Sequence, residues 1–186
     1  IFLSSDYVFD GEKGNYSEDD VPNPVNYYGL SKLKAEQLIL KNPINTIIRT
    51  SVIYDWDYRA RFFNSVIKNL QNNQEINATT DVYNSVTFLD NLVESIFKVI
   101  TLNQNGIFHV VDSACVNRFE FAEMIAKIFR LDKNLIKTVS VQDEPKNIAK
   151  RPKNACLDNS KAKKELGLNF NTIEEGVSRV FMKSQL

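Results

Sequence analysis

Short apolar or β-branched runs alternate with longer stretches of helical periodicity along almost the whole chain, and this alternation constrains the fold more than any other feature. Residues 1–5 (IFLSS), 46–54 (TIIRTSVIY), 75–78, 106–112 (GIFHVVD) and 136–141 read as strands. Between them, residues 27–41, 61–70, 89–102 and 119–129 carry helical spacing, and two short helices starting at Ser160 and Thr172 finish the chain. Asn26 can cap the first helix and Asn42-Pro43 can stop it, with Leu30, Leu33, Ala35 and Leu38 expected on its apolar side. Strand and helix in regular turn imply a parallel sheet with crossover helices, an α/β fold. The long connection DGEKGNYSEDDVPNP is rich in Gly, Asp, Asn and Pro, and a loop of that length suggests function.

Composition enters by exclusion. The 23 Lys and Arg balance 23 Asp and Glu, so no net field favours a nucleic acid or an anionic membrane surface. No apolar run approaches the roughly 20 residues that span a bilayer. No basic, apolar leader opens the sequence, which reads as cytoplasmic. Cys115 and Cys156 have no Cys or His at metal-ligand spacing and read as buried thiols. The lone His109 alternates with apolar residues and reads as structural. The acidic run Glu18-Asp19-Asp20 reads as a solvated loop without the convergence of a metal cage.

The spacing with most chemistry in it is Tyr28 and Lys32 in YYGLSKLKAE. Residues four apart share a helix face, so an ammonium can stabilise a phenolate and make the tyrosine a general acid or base. By itself the pair is also what two ordinary surface residues would show. Ser5 stands at the carboxyl end of the first strand, where open parallel sheets bind ligands, and a hydroxyl there can hold a substrate oxygen. Ser5, Tyr28 and Lys32 form a proton-handling set that lacks an electron donor, which a cofactor must supply.

The stretch SSDYVFDGEKGNYSEDDVPNPVNYYGLSKLKAEQ resembles the central segment of extended short-chain dehydrogenases/reductases, and most closely the dTDP-4-dehydrorhamnose reductase family. There a strand ending S-T-D-Y-V-F-D-G leads through an acidic, Pro-containing loop to Y-G-x-x-K. Further on, IIRTSVIY, SVTFLDNL, GIFHVVD and RPKNACLDNSKAKKELG resemble later segments of that family in the same order, so the resemblance covers nearly the whole chain. It implies the carboxyl-terminal part of a Rossmann-like doubly wound parallel sheet, with residues 1–56 carrying the catalytic helix and residues 57–186 forming mainly a small α/β substrate-binding domain. It implies NADPH or NADH as cofactor, with Tyr28 and Lys32 as catalytic and cofactor-binding residues and Thr50 and Ser51 near the nicotinamide. It places Ser5, Asp6, Tyr7, Val52 and Arg151 against a nucleotide-sugar substrate, with Arg151 on the diphosphate. The family's Gly-rich turn for the cofactor pyrophosphate does not occur in this sequence, so Ile1 reads as an internal residue of a carboxyl-terminal fragment. A fragment of that kind would expose a sheet edge and an apolar face, and would self-associate as a homodimer or pair with a missing N-terminal segment.

Three departures from the family pattern bear on the substrate. Val52 stands where many members have a Trp that packs on the sugar, Val86 where Pro is usual, and Phe88 where Tyr is frequent. Trp56 lies on the substrate side and reads as a packing residue. The resemblance leaves three functions: reduction of a nucleotide-bound 4-keto-6-deoxysugar, a nucleotide-sugar epimerase of the same superfamily, and a non-catalytic regulatory role like that of a methionine adenosyltransferase subunit. Tyr7 follows Asp6 where dehydratases usually show Glu, which argues against dehydration.

Overall fold

The computed structural model describes residues 1–56, 61–143 and 149–185. In chain order the elements are β1 (Phe2–Ser5), a 3-10 turn at Asp6–Val8, α1 (Tyr27–Ile39), β2 (Thr46–Thr50), β3 (Ile53–Tyr54), α2 (Arg61–Gln71) and β4 (Ile76–Thr79). There follow β5 (Tyr83–Ser85), β6 (Thr87–Phe88), α3 (Leu89–Thr101), β7 (Gly106–His109), β8 (Cys115–Asn117), α4 (Arg118–Phe129), β9 (Ile136–Val139), α5 (Ser160–Leu166) and α6 (Ile173–Lys183). The strands β1, β2 and β7 form a parallel sheet in that order, with Ser5 opposite Thr50 and Arg49 opposite His109. Every residue of β2 is buried, as a central strand covered on both faces requires. The remaining strands pair in twos: β3 with β6 and β4 with β9 in parallel, β5 with β8 antiparallel.

Residues 46–54 do not make one strand. The run breaks after Thr50, and Val52 takes a left-handed backbone with φ of 33°, a strained conformation for a β-branched residue. The turn is pinned because Thr87 Oγ1 donates to Ser51 O at 2.6 Å and Thr87 N donates to Val52 O at 3.1 Å. It aims the carboxyl end of β2 at the same opening as the end of β1 and sends the chain into the second half as β3.

Two apolar cores flank this joint. Ile48, Leu92, Phe108, Val110, Leu166 and Phe170 fill the space between the parallel sheet, α3 and α5. Tyr54, Phe63, Ile67, Phe88, Phe121, Ile125 and Val177 form the other, among α2, α4 and α6. α1 departs from its expected apolar face: Leu30 and Leu38 are exposed, and the residues it buries are Gly29 and Glu36. Gly29 is required because a Cβ there would sit 2.0 Å from the Tyr7 carbonyl. Glu36 is buried because it meets Arg49 of β2 in a two-pronged ion pair, at 3.0 Å to Nε and 2.7 Å to Nη2.

His109 completes that cluster as the structural residue the sequence suggested. Arg49 Nη1 lies 3.3 Å from His109 Nε2, so Nε2 accepts and Nδ1–H donates to the Tyr16 carbonyl at 3.0 Å. Burial, then the Arg49 charge, pull its pKa down to about 3, and it stays neutral. Glu18, expected in solvent, accepts from the His109 backbone N–H at 2.8 Å and so ties the long loop to β7.

The cysteines are not thiols: Cys115 and Cys156 are joined in a disulfide. The strand β5 brings them together. Ser85 faces Cys115 across the β5–β8 ladder, and the Ser85 hydroxyl accepts from Leu157 N, beside Cys156, at 3.1 Å. Among the described residues no helix is long and apolar enough to cross a membrane.

Candidate active site

The carboxyl ends of β1 and β2 and the first turns of α1 enclose an open cleft of about 400 Å³. The helix start is fixed by the Asn26 side chain, whose Oδ1 accepts from Gly29 N at 2.8 Å while Nδ2 donates to Lys150 O at 2.9 Å. Two residues past this cap stands Tyr28, 52% exposed and open to the cleft. Lys32 follows one turn later, its ammonium 5.8 Å from the Tyr28 ring centre and donating to the Leu3 carbonyl at 3.1 Å. The Tyr7 ring meets Tyr28 edge to face at 5.8 Å. The helical spacing thus places hydroxyl and ammonium on one wall of one cleft, beside the end of β1.

Opposite them lies a buried polar joint. Ser5 Oγ donates to Asp6 Oδ1 at 2.9 Å and accepts from Tyr7 N at 3.2 Å, capping the short turn. The other Asp6 oxygen accepts from Ser51 Oγ at 2.6 Å and from Asn84 Nδ2 at 2.9 Å. Asp6 is only 2% exposed, and burial raises its pKa against the lowering effect of these three donors. One carboxylate therefore joins β1, β2 and β5 at the floor of the cleft. Thr50, Ser51 and Val52 line the same opening, so Ser5, Asp6, Tyr7, Tyr28, Lys32, Thr50, Ser51 and Val52, all singled out in the sequence, come together.

Arg151 does not line that cleft. It lines a neighbouring cavity of about 260 Å³ with Phe62, Asn77, Thr79 and Arg118. Arg118 lines both cavities. Its guanidinium lies 4.3 Å from the Phe62 ring centre, a cation–π contact. Both arginines also act on Tyr7, where burial and Asp6 raise the phenol pKa and the two positive charges lower it. Thr79 Oγ1 is a buried hydroxyl in this second cavity without a hydrogen-bond partner among the described residues. Sequence reasoning passed over Arg118, Asn84 and Thr79. For Arg118 a signal existed: it opens α4 directly after the Asn117 cap and inside the Asn117–Glu120 capping box, where the helix dipole disfavours a cation.

The arrangement can orient a ligand with a polar head in the Tyr28 cleft and an anionic group on the two arginines. A tyrosine hydroxyl beside an ammonium can transfer a proton there. Lys32 and the carboxyl ends of β1 and β2 line the same cleft, and none of these side chains is redox active, so a reduction there would need a bound hydride donor. Among the described residues no cluster of His, Cys, Asp or Glu could hold a metal ion.

Comparison with known proteins shows the family. The whole chain, residues 1–186, matches the family described as the RmlD substrate binding domain. It is 32% identical over 184 residues to the probable low-salt glycan biosynthesis reductase Agl14 of Haloferax volcanii, covering 96% of this chain and 61% of that protein. It is 31% identical over 184 residues to the β subunit of methionine adenosyltransferase 2 of Bos taurus, covering 92% of this chain and 53% of that one. Among solved structures, the dTDP-4-dehydrorhamnose reductase of Bacillus anthracis in complex with NADP superposes with a TM-score of 0.89 at 30% identity, over 98% of this chain and 64% of that one. The chain thus spans between half and two thirds of the length of these relatives. With a family match from Ile1 to Leu186, the chain belongs to the RmlD substrate-binding-domain family.

Proposed function

We propose that this chain is the substrate-side part of an NADPH-dependent reductase acting on the 4-keto group of dTDP-4-dehydro-L-rhamnose, giving dTDP-L-rhamnose. The observation that carries the reading is that two cavities share Arg118 as a wall residue, with Tyr28 and Lys32 in one and Arg151 in the other. The keto sugar lies in the first cavity and the diphosphate on the two guanidiniums, which suit phosphate oxygens in a way that point charges do not. Tyr28 gives its proton to the carbonyl oxygen as hydride reaches the carbon. Lys32 holds the tyrosine and the cofactor ribose, and Ser5 orients the sugar. The open edge of β1 and the exposed Leu30 and Leu38 of α1 form the face on which a preceding cofactor-binding half, or a second copy, would pack. In this reading the 186-residue chain alone is inactive.

A second reading has a specific support. The similarity to the methionine adenosyltransferase β subunit spans almost the same share of this chain. A regulatory role would keep the fold and dispense with proton transfer. The discriminating experiment follows NADPH oxidation by the full gene product with dTDP-4-dehydro-L-rhamnose. Turnover that disappears in Tyr28→Phe supports the reductase. A folded, NADPH-binding protein without turnover supports the regulatory or epimerase reading.

A further inference from the structure

The disulfide lies at a point of the fold that the proposed reaction does not use, yet both of its arms lead to the two arginines. Cys115 is the first residue of β8, and three residues on, Arg118 opens α4. Cys156 follows Arg151 by one short segment. That segment is laced to the rest of the molecule by Tyr83 N to Lys153 O at 2.7 Å, Ala155 N to Tyr83 O at 3.0 Å and Tyr16 N to Cys156 O at 2.8 Å. The arginines belong to chain segments 33 positions apart in sequence, and the disulfide joins those segments covalently, three residues from Arg118 and five from Arg151. Arg118 opens α4 and Arg151 lies on a segment without regular structure, so the disulfide adds a covalent tie to the hydrogen bonds that run through Tyr83.

The bond is also reachable. Cys156 is buried, but Cys115 is exposed, and both cysteines line a third cavity of about 330 Å³ that shares no lining residue with the arginine cavity. Lys163, Asp112, Asp158 and Lys13, the last paired with Asp20 at 2.6 Å, also line this cavity. A nucleotide sugar in the arginine cavity would leave this third opening free.

We propose that the Cys115–Cys156 disulfide is a positioning element for the diphosphate-binding arginines, and that its reduction by a dithiol loosens the site. The proposal rests on the reading of Arg118 and Arg151 as diphosphate ligands. The chemistry is ordinary thiol–disulfide exchange. A reductant thiolate attacks the Cys115 sulfur, a mixed disulfide forms, and Cys156 leaves as a thiolate that takes up a proton. The reductant's second thiol then displaces Cys115, so two electrons pass to the protein and the reductant ends as its own disulfide. The β5–β8 ladder and the bonds of Tyr83 to residues 153 and 155 survive, so the fold persists while the spacing of the arginines relaxes.

The test measures dTDP binding by calorimetry to the oxidised protein, to the same protein after dithiothreitol, and to the Cys115→Ser/Cys156→Ser variant. Thiol titration reports the redox state, and circular dichroism reports the fold. The expected result is a rise of roughly tenfold in the dissociation constant on reduction, reproduced by the double variant in either buffer, with NADPH affinity of the full gene product unchanged. Should the double variant fail to fold, the reduced native protein gives the answer. Equal dTDP affinity in verified oxidised and reduced states overturns the positioning role and leaves the diphosphate reading standing. No dTDP binding in either state overturns both. Two titratable thiols in the protein before any reductant is added also overturn the proposal.

Discussion

The two walls of the cleft are built on opposite terms. On one, Asp6 is sealed under Ser5, Ser51 and Asn84, and behind it Arg49, Glu36 and His109 form a buried ionic cluster with every partner supplied from within the chain. On the other, Tyr28 stands half in solvent with only an edge-to-face ring contact and a neighbouring ammonium. Stability and the proposed reactivity therefore fall to different residues on the same helix: Glu36 locks α1 to β2, and Tyr28 and Lys32 ride on the orientation so fixed. A buried ion pair adds little over an apolar pair of the same shape, but losing one partner strands a charge. A half-exposed phenol costs almost nothing to alter.

The largest break in that comparison should come from Glu36→Ala. It leaves the Arg49 guanidinium buried against His109, and a loss of about 3–5 kcal/mol in urea unfolding is expected. Adding Arg49→Leu to it should recover part of that loss, because the stranded charge is gone. Next comes Asp112→Asn. Asp112 accepts from Tyr54 Oη at 2.9 Å, Phe88 N at 3.0 Å and Asn91 Nδ2 at 2.7 Å, and an amide turns one acceptor into a donor facing donors. A cost of about 1–3 kcal/mol is expected by the same measurement.

The pH dependence sharpens the picture, because two buried groups pull in opposite directions. His109 has its pKa lowered to about 3, so its contribution is complete above the ordinary 6.5 and is lost as pH falls toward 3. Asp112 has its pKa raised to about 6 by burial, so its contribution is complete below the ordinary 3.8 and is lost as pH rises through 6. Between roughly pH 4 and 6 the two slopes oppose each other. His109→Gln keeps an acceptor for Arg49 and a donor for Tyr16, and removes the titration. Its urea midpoints should fall more steeply with rising pH across that window than those of the native chain, and an unchanged slope would contradict the buried neutral histidine. The smallest effect on stability is expected from Tyr28→Phe, within about 0.5 kcal/mol of the native chain.

Much of this was legible in the sequence where periodicity or spacing carried it. The four long helices and the strands of the parallel sheet follow from pattern, and Tyr28, Lys32, Ser5 and Ser51 share a cleft as the resemblance implied. What escaped depended on contacts between distant segments. The two- and three-residue strands β3, β5, β6 and β8 are too short to show alternation, and without β5 nothing in the sequence brings Cys115 to Cys156. The break at Val52 is set by Thr87, far along the chain, overriding a β-branched run that reads as continuous. Glu36 looked like one more polar residue on a helix surface, since its partner is fixed by how α1 crosses β2.

The most direct test of the account is the rate of NADPH oxidation with dTDP-4-dehydro-L-rhamnose by the full gene product and its Tyr28→Phe variant, with both shown to have the same urea midpoint. The account predicts turnover in the native protein and its loss in the equally stable variant. Undiminished turnover in the variant, or none in a native protein that is folded and binds NADPH, would contradict the assignment of Tyr28 as the proton donor of a reductase.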